Sequence, residues 1–453
     1  MIEAFFQFLT RLDSVFWAYI AFVLIMVLGI FLTVKSRFFQ IRQIHNIGKT
    51  FFHFLFHPHE ETRGVHPLRA FFASAGGMIG IGNVVGIVTA VQIGGPGALF
   101  WVWMAGMIGA IIKYSEIYLG IKYRIENSRG GYDGGPMYFL KAAFKTGILS
   151  LAVAILLCVY GVEIYQFSVI TESVSTNWHV NRYLVIGILL TLVLYAGLGG
   201  VKRIGKICSW IMPLFMLTYL GMSLWIIGHE ASSIPGVLAD VFKAAFNGHA
   251  AVGGFAGCSV ILSIQHGISR AAYSADIGIG YDSIIQSESS TSFPERQARL
   301  AILGVLLDNL ICTLSILLVL VSGVWKAVVP IEGSHLVQEA LSLYFPYMNL
   351  FMPIFLISCG YTTLIAFFCV GLKSASYLLP RYGRKLYTGY AVFALIFFTF
   401  FDQAQALVVM SIAGAMLLII NLLGILRLRK EIVFHSPEER KDIASPIPEV
   451  AKI

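Results

Sequence analysis

Charged residues are scarce in this sequence. Asp, Glu, Lys and Arg together make up 12% of the 453 residues, and hydrophobic residues make up 57%. In a soluble domain about a quarter of the residues are charged. A water-soluble globular fold is therefore excluded, and the composition predicts a polytopic membrane protein.

The sequence also lacks the motifs of several enzyme classes. It contains neither a GxxxxGK[ST] loop for nucleotide phosphates nor an HExxH pair for catalytic zinc. No CxxC pair is present, which argues against a zinc site and against disulfides, since every cysteine lies in an apolar segment: Cys158, Cys208, Cys258, Cys312, Cys359 and Cys369. We expect a protein that is not an enzyme and that draws energy from an ion gradient or from its substrate.

Apolar runs of about 20 residues, long enough to cross a bilayer, recur along the chain. We count eleven, centred near Val23, Val84, Met107, Leu156, Leu190, Met216, Val260, Asn309, Tyr361, Leu395 and Ile412. The first run begins after Glu3, Arg11 and Asp13 and is followed by Lys35 and Arg37 instead of a small-residue cleavage site. It is typical of a retained helix and not of a signal peptide.

The basic residues are distributed unevenly between the loops. If Met1 faces outward, the external loops contain only Arg11, Arg182, Lys243 and Lys326, and the other basic clusters fall on the opposite side. This asymmetry predicts an external N-terminus and a cytoplasmic C-terminus. It leaves no contiguous basic patch for a nucleic acid, despite the net charge of +8.

A dense group of glycines interrupts the second apolar run. The segment GGMIGIGNVVG, from Gly76 to Gly86, has five glycines in eleven residues. Non-helical backbone at membrane depth is tolerated only where it lines a cavity or binds a ligand, because unpaired backbone groups are costly in hydrocarbon. The segment therefore predicts a broken helix with a ligand site. The alternative is that these glycines serve close helix packing.

A second interruption, GGFAGCS from Gly253 to Ser259, lies in the seventh run, five runs later. Paired breaks in two inverted halves are typical of secondary transporters, whose binding site lies at the midplane. We divide the chain into an external N-terminus, first helix and cytoplasmic connector (1–66), a first repeat of five helices (67–229), an external loop with the second repeat (230–430), and a charged cytoplasmic tail (431–453).

Several motifs resemble the alanine or glycine:cation symporter family. They are GIGNVVGIVTAV at Gly80, GGPGALFWVWMAGMIGAIIKYSEIYLGIKYR at Gly94, GGPMYFL at Gly134, YAGLGGVKRIGK at Tyr195, LDNLICTLSILLVLVSG at Leu307 and YTTLIAFFCVGLKSASYL at Tyr361. The resemblance implies an all-α polytopic fold of about 11 transmembrane helices, a 5+5 inverted repeat of the leucine-transporter type preceded by one extra helix. It further implies a monomer in the bacterial inner membrane that imports small neutral amino acids with sodium.

An amino acid offers a carboxylate and an ammonium group for recognition. At the break, the backbone amides of Gly80, Ile81 and Gly82 can point at the carboxylate from the positive end of a half-helix. Asn83 supplies amide donors and a carbonyl, either to the ligand or to the pocket. We therefore predict that these four residues bind substrate.

Sodium is a hard cation that prefers oxygen ligands. By resemblance to the second sodium site of leucine-type transporters, its ligands are predicted to be the carbonyls of Gly76, Ile79 and Cys359 and the hydroxyls of Thr362 and Thr363. Thr362 is also predicted to contact the substrate. The alternative for the two threonines is a hydrogen bond to a preceding carbonyl of their own helix.

The resemblance assigns further substrate contacts. Gln166 is predicted to face the substrate, with an interhelical hydrogen bond as the alternative role. In the seventh helix, Phe255 is predicted to cap the pocket, while Gly257 and Cys258 leave room for a ligand methyl group.

Ionisable residues inside membrane segments are hypotheses for function. Glu163 and Asp308 lie in apolar runs, and sequence leaves Asp308 to bind a cation, carry a proton or tie helices together. Glu116 has a structural explanation, because Lys113 is one turn away and is expected to pair with it.

The chain also departs from the family pattern. Met78 and Ile81 stand where relatives often have threonine. The segment HGISRAAYSADIGIGYDS fits the usual GxxRGxFSNEAGxGS only in part: the residues that fit are Arg270, Tyr273, Ser274, Gly278 and Gly280, and those that do not are Ala275, Asp276, Ile277 and Tyr281.

We expect sodium-driven uptake of alanine or glycine. The alternative is a proton-coupled or uncoupled exchanger or facilitator for another amino acid; a channel or an amino-acid sensor is less favoured, since no repeated filter or signalling domain is present.

Overall fold

The computed structural model describes residues 2–56, 63–247, 260–326 and 333–434. Within these residues the chain is predominantly helical, with one short antiparallel hairpin, β1 (Ile125–Glu126) and β2 (Tyr132–Asp133), paired Ile125 to Asp133 and Glu126 to Tyr132. The all-α prediction is confirmed.

Helices of very different length follow one another along the chain. The first ten are α1 (Ile2–Val15), α2 (Phe22–Lys35), α3 (Phe39–Arg42), α4 (Ile44–Phe56), α5 (Pro67–Met78), α6 (Thr89–Gly94), α7 (Ala98–Lys122), α8 (Pro136–Phe144), α9 (Ile148–Tyr160) and α10 (Ile164–Trp178). The next ten are α11 (Arg182–Gly197), α12 (Gly200–His229), α13 (Ile234–Asn247), α14 (Val260–Ser274), α15 (Tyr281–Gln286), α16 (Pro294–Ser322), α17 (Gly333–Ser342), α18 (Met348–Leu378), α19 (Gly383–Phe398) and α20 (Gln403–Arg427). Wider π-helical turns cover Phe16–Ala21 and Gly82–Gly86, and a 3₁₀ turn covers Val324–Lys326.

Seven helical segments in the described part are long and apolar enough to cross a membrane, or eight if the bent pair at the glycine-rich segment counts as one span. They match predicted runs. The predicted runs near Leu190, Val260 and Leu395 fall on the shorter helices α11, α14 and α19. The structure thus confirms a polytopic helical protein, and the number eleven stays a prediction.

The glycine-rich segment does break its helix, as predicted. Helix α5 ends at Met78, Ile79 adopts an extended conformation with φ −90° and ψ 94°, and helical structure resumes at Gly82. The two halves are bent by 42° relative to each other. The counterpart predicted at Gly253 to Ser259 lies outside the described residues.

The broken helix occupies the centre of the fold. Helix α5 packs against α12, α15, α16 and α18, and α18 in turn packs against α9 and α10. Nearly all of α5 is buried, including every residue from Ala73 to Met78. The break therefore lies where four or more helices meet, shielded from lipid.

The described residues contain a further interruption, at 161–163, that the sequence did not predict. The run centred near Leu156 is divided into α9 and α10 by residues 161–163. Glu163 there has φ +55°, a left-handed conformation that is uncommon for a residue other than glycine. One glycine, Gly161, is too weak a sequence signal for this interruption.

Candidate functional site

Two backbone amides at the break donate to side chains instead of to helix carbonyls. The N–H of Gly80 donates to Asn83 Oδ1 at 2.9 Å, and the N–H of Ile81 donates to Gln166 Oε1 at 3.4 Å. A helix terminus leaves such amides without intrahelical partners, so side chains or ligands must satisfy them. The break therefore presents two backbone N–H groups that can donate hydrogen bonds to a carboxylate oxygen.

The glycines of the broken helix serve two purposes. A Cβ on Gly77 would lie 1.7 Å from Tyr281 Oη, and one on Gly76 would lie 2.7 Å from Cys208 Sγ, so these two glycines permit close packing. A Cβ on Gly80 would lie 2.3 Å from Thr363 Oγ1 and 3.0 Å from Gln166 Oε1. Gly80 thus lets polar groups approach the backbone. Close helix packing is therefore observed at Gly76 and Gly77, and ligand binding at Gly80 stays a prediction.

Three oxygen atoms from two helices cluster beside the break. Thr363 Oγ1 lies 3.3 Å from the carbonyl oxygen of Gly76 and 3.3 Å from that of Cys359. Thr362 Oγ1 donates to the Cys359 carbonyl at 2.8 Å. Both threonines therefore form the hydrogen bond within their own helix, and Thr363 additionally reaches the broken helix. Ile79, the remaining predicted sodium ligand, is fully buried at the start of the break.

Asn83 connects the break to two other helices. Its Nδ2 donates to Asp308 Oδ1 on α16, and Ser274 Oγ on α14 donates to the same carboxylate oxygen at 3.3 Å. Both Asn83 and Asp308 are almost completely buried. Of the three roles that sequence left open for Asp308, the observed contacts are those of a residue that ties helices together. Sequence alone missed this partnership, although isolated polar residues in two apolar runs were a signal for it.

Gln166 is placed beside the break by α10. Its side chain is 8% exposed and accepts from the Ile81 amide. One turn earlier, Glu163 is buried and interacts with the Gln166 amide group. The left-handed turn at Glu163 thus orients the start of α10, the helix that supplies Gln166.

The prediction that Lys113 pairs with Glu116 is wrong. Lys113 Nζ instead pairs with Asp282 of α15 and donates to the carbonyl of Asp276 at 2.6 Å. Glu116 lies beside the backbone of Gly278 and Ser283. Helix α7 packs against α15, which brings a buried carboxylate closer to the ammonium group than the neighbour on its own helix. A buried ammonium needs such a partner, since an unpaired buried charge is strongly unfavourable.

Tyr281, one of the departures from the family pattern, packs on the first half of the broken helix. Its hydroxyl donates to the Ala73 carbonyl at 3.1 Å, and its ring stacks on Phe367 with centroids 4.2 Å apart and planes at 9°. Asp276, another departure, accepts from Tyr160 Oη at 2.8 Å. These substitutions therefore act through packing and hydrogen bonding around α5 and α15.

The two apolar replacements in the break also fill space between helices. Met78 Cε lies against Gly304 of α16, 3.1 Å from where a Cβ on that glycine would be. Ile81 Cδ1 is similarly close to Gly360 of α18. Where hydroxyls are common in relatives, this chain has apolar walls.

The other predicted substrate contacts can be placed only in part. Gly82 begins the π-helical turn, and a Cβ on it would lie 3.9 Å from the Cα of Ser274 on α14. Thr362 lies beside Gly76, while its neighbour Thr363 is the threonine that reaches Gly80. Phe255, Gly257 and Cys258 lie outside the described residues.

Comparison with known proteins identifies relatives that match nearly the whole chain and a solved structure of similar fold. The chain is similar to the sodium/alanine symporter AgcS of Methanococcus maripaludis, with 29% identity over 95% of this chain and 96% of that protein. It is 27% identical to the probable sodium/glutamine symporter GlnT of Bacillus subtilis, over 93% of this chain and 87% of that protein. The crystal structure of MhsT in complex with L-phenylalanine, a protein of the leucine-transporter fold, has a similar fold, with a TM-score of 0.54, 16% identity and coverage of 81% of this chain and 88% of that chain.

The match to a family model is nearly complete. The model described as the sodium:alanine symporter family covers residues 2–439. This confirms the resemblance drawn from the GIGNVVGIVTAV and GGPGALFWVW motifs, and it makes the chain a multi-pass membrane transporter and not an enzyme. The protein belongs to the sodium:alanine symporter family.

Proposed function

We propose that this protein couples the inward movement of sodium to the uptake of a small neutral amino acid, alanine or glycine first, by alternating access. Membership of the family supports transport. The observation that carries the proposal is the adjacency of two features: the oxygen cluster of Gly76, Cys359 and Thr363, and the donor amides of Gly80 and Ile81.

For sodium, we propose the carbonyls of Gly76, Ile79 and Cys359 and the hydroxyls of Thr362 and Thr363. All are neutral oxygen donors, the type that suits a hard monovalent cation when no carboxylate is used. Thr363 supports this assignment most directly, since its hydroxyl already lies between carbonyls of two helices.

For the amino acid, we propose binding by Gly80, Ile81, Gly82, Asn83, Gln166 and Thr362, together with Phe255, Gly257 and Cys258. The amide N–H of Ile81 donates to Gln166 Oε1. A carboxylate oxygen of the substrate can accept the same hydrogen bond, and its negative charge makes that bond stronger. The apolar side chains of Met78 and Ile81 and the short distance from Gly80 to Thr363 favour a ligand with a small side chain.

We further propose that 67–229 and 230–430 are the two inverted repeats, preceded by 1–66 and followed by the tail 431–453. The protein would act as a monomer in the inner membrane of a bacterium, with its N-terminus outside and its C-terminus in the cytoplasm. The basic loops support this orientation through the positive-inside rule.

Uptake by the purified protein in liposomes tests the coupling. Labelled alanine should accumulate with an inward sodium gradient, and accumulate little with a proton gradient or with neither. The relatives named for alanine and for glutamine differ in substrate at similar identity to this chain, so unlabelled glycine and glutamine should be added as competitors. Uptake that is indifferent to sodium would overturn the proposal.

The ion ligands can be tested separately. Thr363→Val removes the hydroxyl that reaches two carbonyls, and we expect the sodium concentration for half-maximal uptake to rise by about tenfold or more, since contacts to a charged group contribute about 1.5–3 kcal/mol. Thr362→Val should raise it less, because that hydroxyl contacts only its own helix. Thr191→Val, which removes an exposed hydroxyl bonded within α11, is the control. An unchanged sodium dependence in Thr363→Val would exclude the site.

Proton coupling is the second candidate, favoured by the buried Asp308 carboxylate bonded to Asn83 at the break. In that case a proton gradient would drive uptake without sodium. Asp308→Asn would abolish the proton-driven component while keeping an acceptor for Asn83.

A further inference from the structure

A large cavity lies away from the broken helix, on the side that the basic loops assign to the cytoplasm. Its volume is about 990 Å³. The hairpin β1–β2, helix α8, the turn between α11 and α12, and the end of α18 enclose it. None of the residues that form the oxygen cluster or the break lines this cavity.

Cationic side chains dominate the lining. Six basic residues face two acidic ones, which leaves a net charge of +4: Arg129, Lys141, Lys145, Lys202, Lys373 and Arg384 against Asp133 and Glu288. The basic residues come from separate elements, including the hairpin loop, α8, the start of α12, the end of α18 and the start of α19.

Both carboxylates are engaged by one lysine. Lys373 Nζ lies 2.9 Å from Asp133 Oδ1 and 2.6 Å from Glu288 Oε1, and it also donates to the Tyr132 carbonyl at 2.9 Å. Burial alone would raise the pKa of Asp133, but the neighbouring Lys373 ammonium and the Asn127 amide hold this pKa below its usual range. Asp133 is therefore a charged partner of Lys373, and it also acts electrostatically on Arg129 and Arg384. The two carboxylates offset part of the positive charge and leave the net charge of +4.

The other five basic side chains are left without such a partner. In the part of the chain that the structure describes, none of them forms an ion pair with a carboxylate. Arg384 lies within electrostatic reach of Arg129, a charge of the same sign, and of Asp133, a charge of opposite sign. The lining as a whole keeps an excess of positive charge, and a bound anion lowers its electrostatic free energy.

We propose that this cavity binds a phosphate-bearing anion. Guanidinium and ammonium groups contributed by several elements to one cavity match the several acceptor oxygens of a phosphate. The lining also includes two aromatic rings, those of Tyr138 and Tyr377, which meet edge to face at 5.4 Å. This site is separate from the one that would transport an amino acid, and it adds an anion site to the cytoplasmic face.

The phosphate can come from an anionic phospholipid or from a soluble compound. Leu198 lines the cavity and is 45% exposed, and it continues an exposed apolar surface of α11 formed by Ile188, Leu192 and Tyr195. A lipid could place its head group in the cavity and its acyl chains along this surface. A soluble phosphate compound would use the basic groups alone, so the test must separate the two.

Two probes distinguish these sources, both applied to the full chain. The first is phosphatidylglycerol, added to phosphatidylcholine nanodiscs, with retained lipid detected by native mass spectrometry. The second is inorganic pyrophosphate, titrated calorimetrically against the protein in pure phosphatidylcholine nanodiscs at constant ionic strength. We expect specific binding of at least one probe, with weakening at high salt because the contacts are electrostatic.

The decisive variant is Lys141→Gln/Lys145→Gln/Arg384→Gln, which removes three of the unpaired charges from the cavity. Affinity should fall about tenfold or more, since three charge-assisted contacts to the anion, two of them from exposed side chains, are lost together. The matched control, Lys206→Gln/Lys385→Gln/Arg427→Gln, removes three charges from the same face outside the cavity and should change affinity less than about twofold. None of these control residues lines the cavity.

Several outcomes would overturn the proposal. One is that the wild type binds neither probe. The other is that the cavity variant and its control lose affinity equally. If the triple variant does not fold, Lys141→Glu replaces a single exposed residue of α8. It should weaken binding as well, and an unchanged affinity in that variant would equally refute the cavity as the site.

Discussion

Two interruptions of membrane helices lie in the described part of this protein, at 79–81 and at 161–163, and their backbone amides are satisfied in different ways. At 79–81, the amides of Gly80 and Ile81 donate to the side chains of Asn83 and Gln166. At 161–163, the three amides donate to carbonyls of the preceding turn: Gly161 to Leu157, Val162 to Val159 and Glu163 to Tyr160.

The amides at 79–81 can exchange their hydrogen-bond acceptors for others, whereas the amides at 161–163 cannot. Side-chain acceptors can be displaced by a ligand oxygen without unfolding the backbone, whereas carbonyls of the same turn are fixed by the chain itself. We therefore propose that the first interruption binds the ligand and that the second orients α10. Substitutions at the two interruptions test this distinction, in decreasing order of the effect that we expect.

Asn83→Ala should have the largest effect. It leaves the buried Asp308 carboxylate without its amide partner and the Gly80 amide without its acceptor. Each buried group that loses its hydrogen-bond partner costs about 1–3 kcal/mol, and more where the group is charged, so the loss at two groups is large. The melting temperature of the purified protein should fall steeply, and uptake should be lost.

A matched control for this change is Asn309→Ala, on α16 beside Asp308. Asn309 Oδ1 accepts no hydrogen bond in the described part of the structure, so its removal should cost much less. The double variant Asn83→Ala/Asp308→Ala should be more stable than Asn83→Ala alone. Equal instability would contradict the coupling between the two residues.

Gly80→Ala should abolish most of the uptake with a smaller loss of stability. Its Cβ would lie 2.3 Å from Thr363 Oγ1, so the oxygen cluster must shift. Overpacking of this kind costs about 1–3 kcal/mol, or up to roughly a hundredfold in apparent affinity. The control is Gly86→Ala, because a Cβ at Gly86 meets no atom within 4 Å. Normal uptake by Gly80→Ala would place the substrate elsewhere.

Gly161→Ala should lower stability without changing the sodium dependence of uptake. The new Cβ would lie 2.8 Å from the carbonyl oxygens of Leu157 and Phe367, which are backbone atoms and cannot easily move. We expect a loss of about 1–2 kcal/mol, measured as a lower melting temperature. Gly147→Ala, with no atom within 4 Å of the added Cβ, is its control. A shift in half-saturating sodium would show that this interruption takes part in ion binding.

Glu163→Gly should have the smallest effect. Glycine relieves the left-handed strain of φ +55°, a gain of about 1 kcal/mol, while the contact with Gln166 is lost. Glu163→Ala keeps the strain and also loses the contact with Gln166. The difference in melting temperature between these two variants therefore isolates the backbone contribution, and a higher value for Glu163→Ala would argue against strain at this residue.

Of the two interruptions in the described residues, the sequence predicted the one near Gly80 and missed the one at 161–163, for a physical reason. Glycine density near Gly80 is a local signal that helix propensity is lost in a membrane segment. Residues 161–163 contain one glycine beside Val162 and Glu163, which a helix would tolerate. What ends α9 there is close packing of Gly161 against the backbone of α18 at Phe367 and Gly371, and that contact joins residues about 200 positions apart in the chain.

Partner choice among buried charges was likewise beyond the sequence. Spacing along α7 favoured Glu116 for Lys113, but the ammonium group pairs with Asp282. Asp308 was recognised as unusual, yet its contacts with Asn83 and Ser274 arise only when α5, α14 and α16 meet.

Hydropathy, glycine density and family motifs are local properties of the chain, so the sequence was sufficient to predict a helical membrane transporter with a broken helix near Gly80. Which atoms meet at that break depended on the tertiary structure. Thr363 reaches Gly76, Gln166 reaches Ile81 and Asp308 reaches Asn83. Each buried polar group in a bilayer must find a partner, and only the packing of distant helices settles which partner is within reach.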